Sequence, residues 1–298
     1  MNSDQGQPTE PARTAATSRN RLVDLLLGAA PLALAIALGV IPLGVLLLES
    51  VELGAYPDFG VVLAGYRAVG SSVYLPVLIR SLAVGIAVTV GCLLIAYPVT
   101  YWVANHCPPP LRVAALVTLT LPLWLNYVVL NYSWVWILAR GGLLNTVLLE
   151  TGVVAEPLEL LFTELSLAIG FVYIYLPYVI LTMYVSMERL DRRLIEAAHD
   201  LGAGRIRVFR DVILPETLAG AIAGTLIVYA RIAGAFATPE ILGGAGNQLI
   251  AQLISDAYLQ ILDYQLAAAL SYVFLSVVLL GLAVGVTQRD VREELKQW

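Results

Sequence analysis

Residues able to do enzymatic chemistry are scarce in this sequence, and their spacing indicates no catalytic or metal site. Cys92 lies inside an apolar run and Cys107 lies beside Pro-Pro-Pro, so neither a disulfide framework nor a metal cluster is predicted. His106 and His199 fall in separate polar segments, with no pattern that brings them together. No GxxxxGK loop followed by Ser or Thr occurs, so we do not expect the chain to hold ATP in that way or to act as an enzyme by itself.

A second set of polar residues lies inside apolar sequence. Arg231 sits in such a run, where a charge at the bilayer centre costs on the order of 2.5–3.5 kcal/mol on insertion scales. Arg231 is expected either to face a passage or a helix contact, or to snorkel toward the outer surface. The segment 124–136 is expected to line a polar passage or to form an aromatic belt at the outer interface. Its candidate passage residues are Asn126, Tyr127, Asn131, Tyr132 and Trp134.

The stretch 196–215, EAAHDLGAGRIRVFRDVILP, carries a third arrangement. Apolar residues recur at helical spacing up to Leu201 and predict an amphipathic helix, and Gly202 predicts the turn that ends it. A short arginine-bearing helix follows. Pro215 is expected to open the next membrane span, where its missing N–H costs nothing. The sequence therefore predicts a helix–turn–helix elbow, with one face for a membrane domain and the other for a soluble partner.

Composition places these residues in a polytopic membrane protein. Apolar residues make up 59% of the 298 residues and charged residues 13%, whereas soluble domains carry roughly a quarter charged residues. Long apolar runs predict an all-α integral membrane fold with six transmembrane helices. Segment 238–263 is expected to hold a short amphipathic or re-entrant helix. The predicted segments are a disordered tail at 1–21, spans at 22–48, 81–104, 112–138, 165–187, 216–237 and 264–287, the elbow at 188–215, and a tail at 288–298.

Basic residues predict the orientation, because loops rich in arginine and lysine stay in the cytoplasm. With the N-terminus inside, thirteen basic residues lie in inner segments and three in outer segments. We therefore expect a multi-pass protein of the cell (inner or cytoplasmic) membrane with the elbow and both termini in the cytoplasm. The inner residues are Arg13, Arg19, Arg21, Arg112, Arg189, Arg192, Arg193, Arg205, Arg207, Arg210, Arg289, Arg292 and Lys296, and the outer ones are Arg67, Arg80 and Arg140.

The elbow follows a known pattern: E-A-A, three residues, G, nine residues, I, one residue, L-P. Glu196, Ala197, Ala198, Gly202, Leu214 and Pro215 fall in register, with Val212 in place of isoleucine. In this the stretch resembles the EAA loop of permease subunits of ABC importers. Two further runs, LPLWLNYVVLNYSWVWILARGGLLN and GAFATPEILGG, are similar to the first permease of spermidine/putrescine importers. The similarity covers roughly residues 80–287.

This resemblance implies a type I ABC importer permease and a set of partners. The partners are two soluble ABC ATPase subunits, a second permease subunit that is a different chain, an extracytoplasmic solute-binding protein and the lipid bilayer, with no nucleic acid. Glu196 would contact the ATPase, Gly202 would permit the turn, and Leu214 with Pro215 would fix the exit into the fifth span. The ATPase would bind ATP, and this chain would need no cofactor.

Other solutes and other classes of protein remain open at this stage. Iron(III), thiamine, sulfate and molybdate permeases share the scaffold, and Asn131 and Ala235 stand where polyamine permeases often carry other polar or charged residues. A secondary transporter would also be apolar and six-spanned, but it usually needs intramembrane acids or inverted repeats. An integral membrane enzyme would need a catalytic cluster, which the two histidines do not indicate.

Overall fold

The chain folds as a bundle of apolar helices. The computed structural model describes residues 10–51 and 63–287, and every regular element in those ranges is helical. Five helices there are long and apolar enough to cross a membrane, or six if one bent pair counts as a single span. The predicted all-α membrane fold is therefore confirmed.

Short 3₁₀ and π turns separate some of the helices. The α-helices in the described ranges are α1 (Glu10–Ser50), α2 (Ala64–Val69), α3 (Tyr74–Asn105), α4 (Pro109–Thr120), α5 (Tyr127–Leu138), α6 (Leu143–Glu150), α7 (Glu164–Arg189), α8 (Arg192–Asp200), α9 (Arg205–Val208), α10 (Leu214–Ala233), α11 (Ile250–Asp256) and α12 (Tyr264–Thr287). The 3₁₀ turns are Leu121–Trp124 and Ala245–Asn247, and the π turns are Phe209–Ile213, Pro239–Gly243 and Ala257–Ile261.

Helix α1 differs from its prediction at the N-terminal end. It begins at Glu10, so residues 10–21, which we predicted to be disordered, are helical. Pro11 falls in the first turn, where proline fits a helix, and the alanines and arginines that follow favour helix. The rest of the predicted tail, residues 1–9, and the predicted C-terminal tail lie outside the described residues.

The predicted third span, 112–138, is not one helix. Helices α4 and α5 are separated by the 3₁₀ turn Leu121–Trp124, and the two halves of the segment are bent by 99°. Pro122 lacks the N–H that would continue α4. The Asn126 side chain then accepts a hydrogen bond from the Val128 N–H at 2.8 Å and starts a new helix. The break follows from these two neighbouring signals.

The core lies where α3, α7 and α10 pack together. Phe171, Val179 and Met183 on α7 are fully buried there, with Val228 of α10. Small residues permit this close contact: a Cβ on Gly224 would lie 3.0 Å from Val179 Cα. The GAIAG run of α10, residues 220–224, is therefore a helix-packing surface, because small residues let helices approach closely.

An arginine ties the loop after α10 to two helices. Arg80 of α3 donates to Gly246 O at 2.7 Å, to Glu164 Oε1 at 3.0 Å and to the Asn247 side-chain oxygen. Asn247 in turn donates to Phe162 O at 3.0 Å. We call this cluster the Arg80 latch. It pairs the charge of Arg80, so helix α3, which begins at Tyr74 rather than near residue 81, carries this arginine in its second turn.

Candidate functional site

The first leg of the elbow is α8, and its end is built around Gly202. The Asp191 side chain accepts a hydrogen bond from the Arg193 N–H at 3.0 Å and caps the start of the helix. At the other end Gly202 has a φ of +80°, and its N–H donates to His199 O at 2.9 Å. The Ala203 N–H donates to Ala198 O at 3.0 Å. These two bonds form a Schellman motif, so the predicted helix stop at Gly202 is confirmed.

The second leg continues without a sharp bend into a helix long and apolar enough to cross a membrane. Residues from Arg205 to Ala233 form one helix, interrupted in hydrogen bonding by the π turn Phe209–Ile213. The Leu214 N–H donates to Phe209 O, five residues back. Helix α10 continues the direction of the helix that begins at Arg205, and Pro215 lies in the first turn of α10, as expected of the residue that opens this span. Its ring would crowd the carbonyl four residues earlier in a regular α-helix, and the wider π turn relieves this crowding.

The inner face of the elbow is anchored to the bundle. Val208 and Ile213 are buried in the core, and Ile195, Ala198 and Ala203 pack against it. The Phe209 ring meets the Tyr97 ring edge to face, with centroids 5.2 Å apart. Arg192 donates to the carbonyls of Ala104 and Asn105, each at 3.4 Å, at the end of α3. The inner face of the elbow is therefore packed against and hydrogen-bonded to the helices of the bundle.

The outer face of the elbow presents apolar and basic side chains. Leu201 is 89% exposed and Ile206 is 85% exposed, the two highest exposures among the large apolar side chains of the described residues. Arg205, Arg207 and Arg210 flank Ile206 along an open groove of about 810 Å³. Glu196 and Ala197 are exposed on α8, Ala198 and Leu214 are half-buried, and Pro215 is exposed. We call Leu201, Ile206 and the three arginines the elbow surface.

A cavity of about 400 Å³ lies at the break between α4 and α5. Asn126 and Tyr127 line it from the break, Tyr175 and Tyr178 from α7, and Arg231 from the last turn of α10. The Arg231 guanidinium carbon lies 4.8 Å from the centre of the Tyr178 ring, within the range of a cation–π contact. Arg231 therefore faces the cavity from the last turn of α10.

The structure brings together only part of the predicted passage set. Asn131 is buried and donates to Tyr127 O at 2.8 Å and to Thr238 Oγ1 at 3.1 Å, so it joins helices rather than lining the cavity. Trp134 packs edge to face on Tyr173 with centroids 5.5 Å apart. Tyr132 points outward and is 55% exposed.

Sequence reasoning missed two cavity residues, Tyr175 and Tyr178. Their spacing of three residues places them on one face of α7, and this spacing could have identified them. The Tyr175 hydroxyl also approaches the backbone oxygen of Arg231 at 3.5 Å. The two tyrosines therefore join α7 to the end of α10 at the cavity wall.

Comparison with known proteins agrees with the membrane fold described above. The family described as "Binding-protein-dependent transport system inner membrane component" matches residues 59–292. The spermidine/putrescine transport system permease protein PotB of Escherichia coli (strain K12) is 37% identical over 209 residues, 70% of this chain and 76% of that protein. PotB of Haemophilus influenzae is 36% identical over 213 residues, 72% of this chain and 74% of that protein.

A solved structure shares the fold. The crystal structure of a bacterial alginate ABC transporter in complex with an alginate pentasaccharide-bound periplasmic protein contains a chain that superposes with a TM-score of 0.74. The match covers 93% of this chain and 97% of that chain, at 15% identity, and at that identity it shows the fold alone. Together with the apolar helices and the match over residues 59–292, these findings identify a multi-pass inner-membrane protein. The chain belongs to the family of binding-protein-dependent transport system inner membrane components, the permease subunits of ABC importers.

Proposed function

We propose that this chain forms one half of the membrane pathway of an ABC importer for a polyamine, spermidine or putrescine. The similarity to the two PotB permeases supports this solute, because it extends over 70% or more of the chain. In this proposal a second, different permease chain completes the pathway, and an extracytoplasmic binding protein delivers the solute. The elbow and both termini lie in the cytoplasm.

The observation that carries the coupling role is the elbow surface. Leu201 and Ile206 are large apolar side chains held out in solvent on a turn that is fixed to the bundle behind it. Apolar anchors of this kind bind in grooves of a partner, and surrounding charges set its orientation. We infer that the partner is an ABC ATPase subunit, which binds the ATP, and that Glu196 adds a polar contact beside the anchors.

One helix connects the elbow surface to the cavity. It carries Ile206 near its start and Arg231 in its last turn, and at about 1.5 Å per residue these positions lie about 38 Å apart. A displacement of the elbow by closing ATPase subunits would therefore reach the wall of the cavity through a single rigid element. This link supports a mechanism in which ATP-driven motion opens the pathway to the opposite side.

Arg231 favours a second candidate solute. Among the described residues that line the cavity it is the one with a formal charge, and a positive charge attracts an anion such as sulfate. Iron(III) and thiamine are further candidate solutes, to be compared with the polyamines and sulfate in the uptake assay.

The test is reconstitution of the complex. The tagged chain is expressed with its ATPase, second permease and binding protein, and ATP hydrolysis and uptake are measured in liposomes with polyamines, ferric iron, thiamine and sulfate. Co-purification of the ATPase and stimulation by polyamine-loaded binding protein are the expected results. Stimulation by another solute alone would remove the polyamine assignment. Absence of the ATPase from the purified complex would remove the coupling role.

A further inference from the structure

The cavity contains a ring that already holds a cation. The Arg231 guanidinium lies 4.8 Å from the centre of the Tyr178 ring. Among the described residues Arg231 has no carboxylate within ion-pair distance. Its guanidinium therefore contacts the ring face rather than an acid.

The surroundings of Tyr178 are aromatic. Tyr127 and Tyr175 line the same cavity, as does Phe236 from the segment after α10. The rings of Tyr175 and Tyr178 are tilted against each other with centroids 6.4 Å apart. Several aromatic faces around one space are the arrangement that binds ammonium groups without a negative charge. The cavity can therefore accept a second kind of cation in place of the guanidinium.

We propose that the face of Tyr178 is the binding position for an ammonium group of the solute and that Arg231 occupies it until the solute arrives. This rests on the proposed function, since it requires a cationic solute. An arriving ammonium competes with the guanidinium for one ring face, and the displaced arginine turns away. Arg231 lies on the helix Arg205–Ala233, which also carries Ile206 of the elbow surface. In this proposal, displacement of the arginine changes the contacts of that helix.

The same geometry explains how an arginine is compatible with a polycationic solute. A fixed arginine would repel every ammonium group that entered the cavity. An arginine held only by a ring face, with its side chain exposed to the cavity, can leave. The arrangement then keeps the aromatic position filled in the empty transporter and releases it to a solute of like charge.

The experiment measures binding of radiolabelled putrescine to the assembled permease–ATPase complex in nanodiscs, with the binding protein omitted so that its affinity does not contribute. Arg231→Gln is expected to bind about tenfold more tightly, which corresponds to about 1.4 kcal/mol, because the competing cation is gone. Tyr178→Leu is expected to bind about tenfold more weakly, within the range of a desolvated cation–π contact.

Three control variants guard against misfolding and general damage. Tyr178→Phe keeps the ring face and is expected to bind putrescine more tightly than Tyr178→Leu does, and Arg231→Lys keeps the charge and is expected to bind it more weakly than Arg231→Gln does. Tyr132→Leu removes an exposed tyrosine outside the cavity and is expected to change nothing. Each variant is first shown to co-purify with its partner subunits in wild-type amounts.

The outcomes separate this inference from the proposed function. Putrescine uptake by the wild type combined with weaker binding by Arg231→Gln, or with unchanged binding by Tyr178→Leu, would overturn the inference and leave the polyamine assignment standing. Uptake of sulfate but not putrescine by the wild type, lost in Arg231→Gln and kept in Arg231→Lys, would overturn both. Tighter binding by Arg231→Gln together with weaker binding by Tyr178→Leu supports the inference.

Discussion

Replacing Gly202 with valine tests the elbow at the turn residue whose backbone conformation favours glycine. Gly202 has a φ of +80°, in the left-handed region that side chains avoid. A Cβ placed there would meet nothing within 4 Å, so collision with neighbours adds no cost. The whole effect of Gly202→Val therefore comes from the backbone, and it acts on the turn that sets the angle between α8 and α9.

The size of the expected loss of uptake follows from the left-handed conformation of Gly202. A left-handed backbone costs a residue with a Cβ roughly 1–2 kcal/mol, and a β-branched residue belongs at the upper end. Since about 1.4 kcal/mol is a factor of ten, the native turn loses about ten- to thirtyfold in population relative to other local conformations. We expect Gly202→Val to reduce uptake by about that factor while the protein remains in the membrane.

The matched control lies two residues along the chain. Gly204 has φ −71° and ψ 163°, which valine adopts readily, and a Cβ there also meets nothing within 4 Å. Uptake and ATPase co-purification are measured for Gly202→Val and Gly204→Val side by side. Full uptake by the first variant, or equal loss in both, would refute the claim that the left-handed turn matters for transport.

Three further changes test other parts of the molecule. Glu196→Ala is expected to weaken association with the ATPase about tenfold or more, because hydrogen bonds to charged groups contribute about 1.5–3 kcal/mol, and equal co-purification would exclude that contact. Arg80→Ala removes the bonds to Gly246 and Asn247 and is expected to lower the melting temperature and speed protease cleavage near residue 246; wild-type resistance would show that the Arg80 latch holds nothing. A reporter fused after Trp298 is expected to read as cytoplasmic, and an external reading would reverse the orientation.

Sequence composition predicted the spans because length and hydropathy are local properties. It could not predict which prolines break a helix. Pro98 and Pro177 lie within continuous helices, whereas Pro122 lies at a sharp bend. The difference is the capping amide of Asn126, four residues beyond Pro122, together with the packing of α5 against α7, and the packing is visible only in three dimensions.

In the candidate site, too, the features that depend on neighbouring residues were predictable and those that depend on distant residues were not. The elbow and its glycine turn were predictable, because they depend on residues close together in sequence. Asn131 was placed in the passage because an amide in apolar sequence needs a partner, and its partners prove to be Tyr127 O and Thr238 Oγ1. Thr238 is more than one hundred residues away, so no local pattern could have shown that the amide nitrogen of Asn131 bonds there, while its buried side-chain oxygen has no hydrogen-bond partner among the described residues.

The π turn Phe209–Ile213 also fixes an angular register. Each residue of an α-helix advances the chain by about 100°, and a π turn holds one residue more than an α turn. The wider turn therefore takes up one residue without the rotation that an α-helical residue would add between the elbow surface and Arg231. Deleting a single residue from the turn would restore a regular helix and leave the two ends in nearly the same orientation, whereas rewinding the intact turn as α-helix would rotate them against each other by about a quarter of a revolution. The direction of the elbow surface relative to Arg231 therefore depends on the hydrogen-bonding form of this one turn.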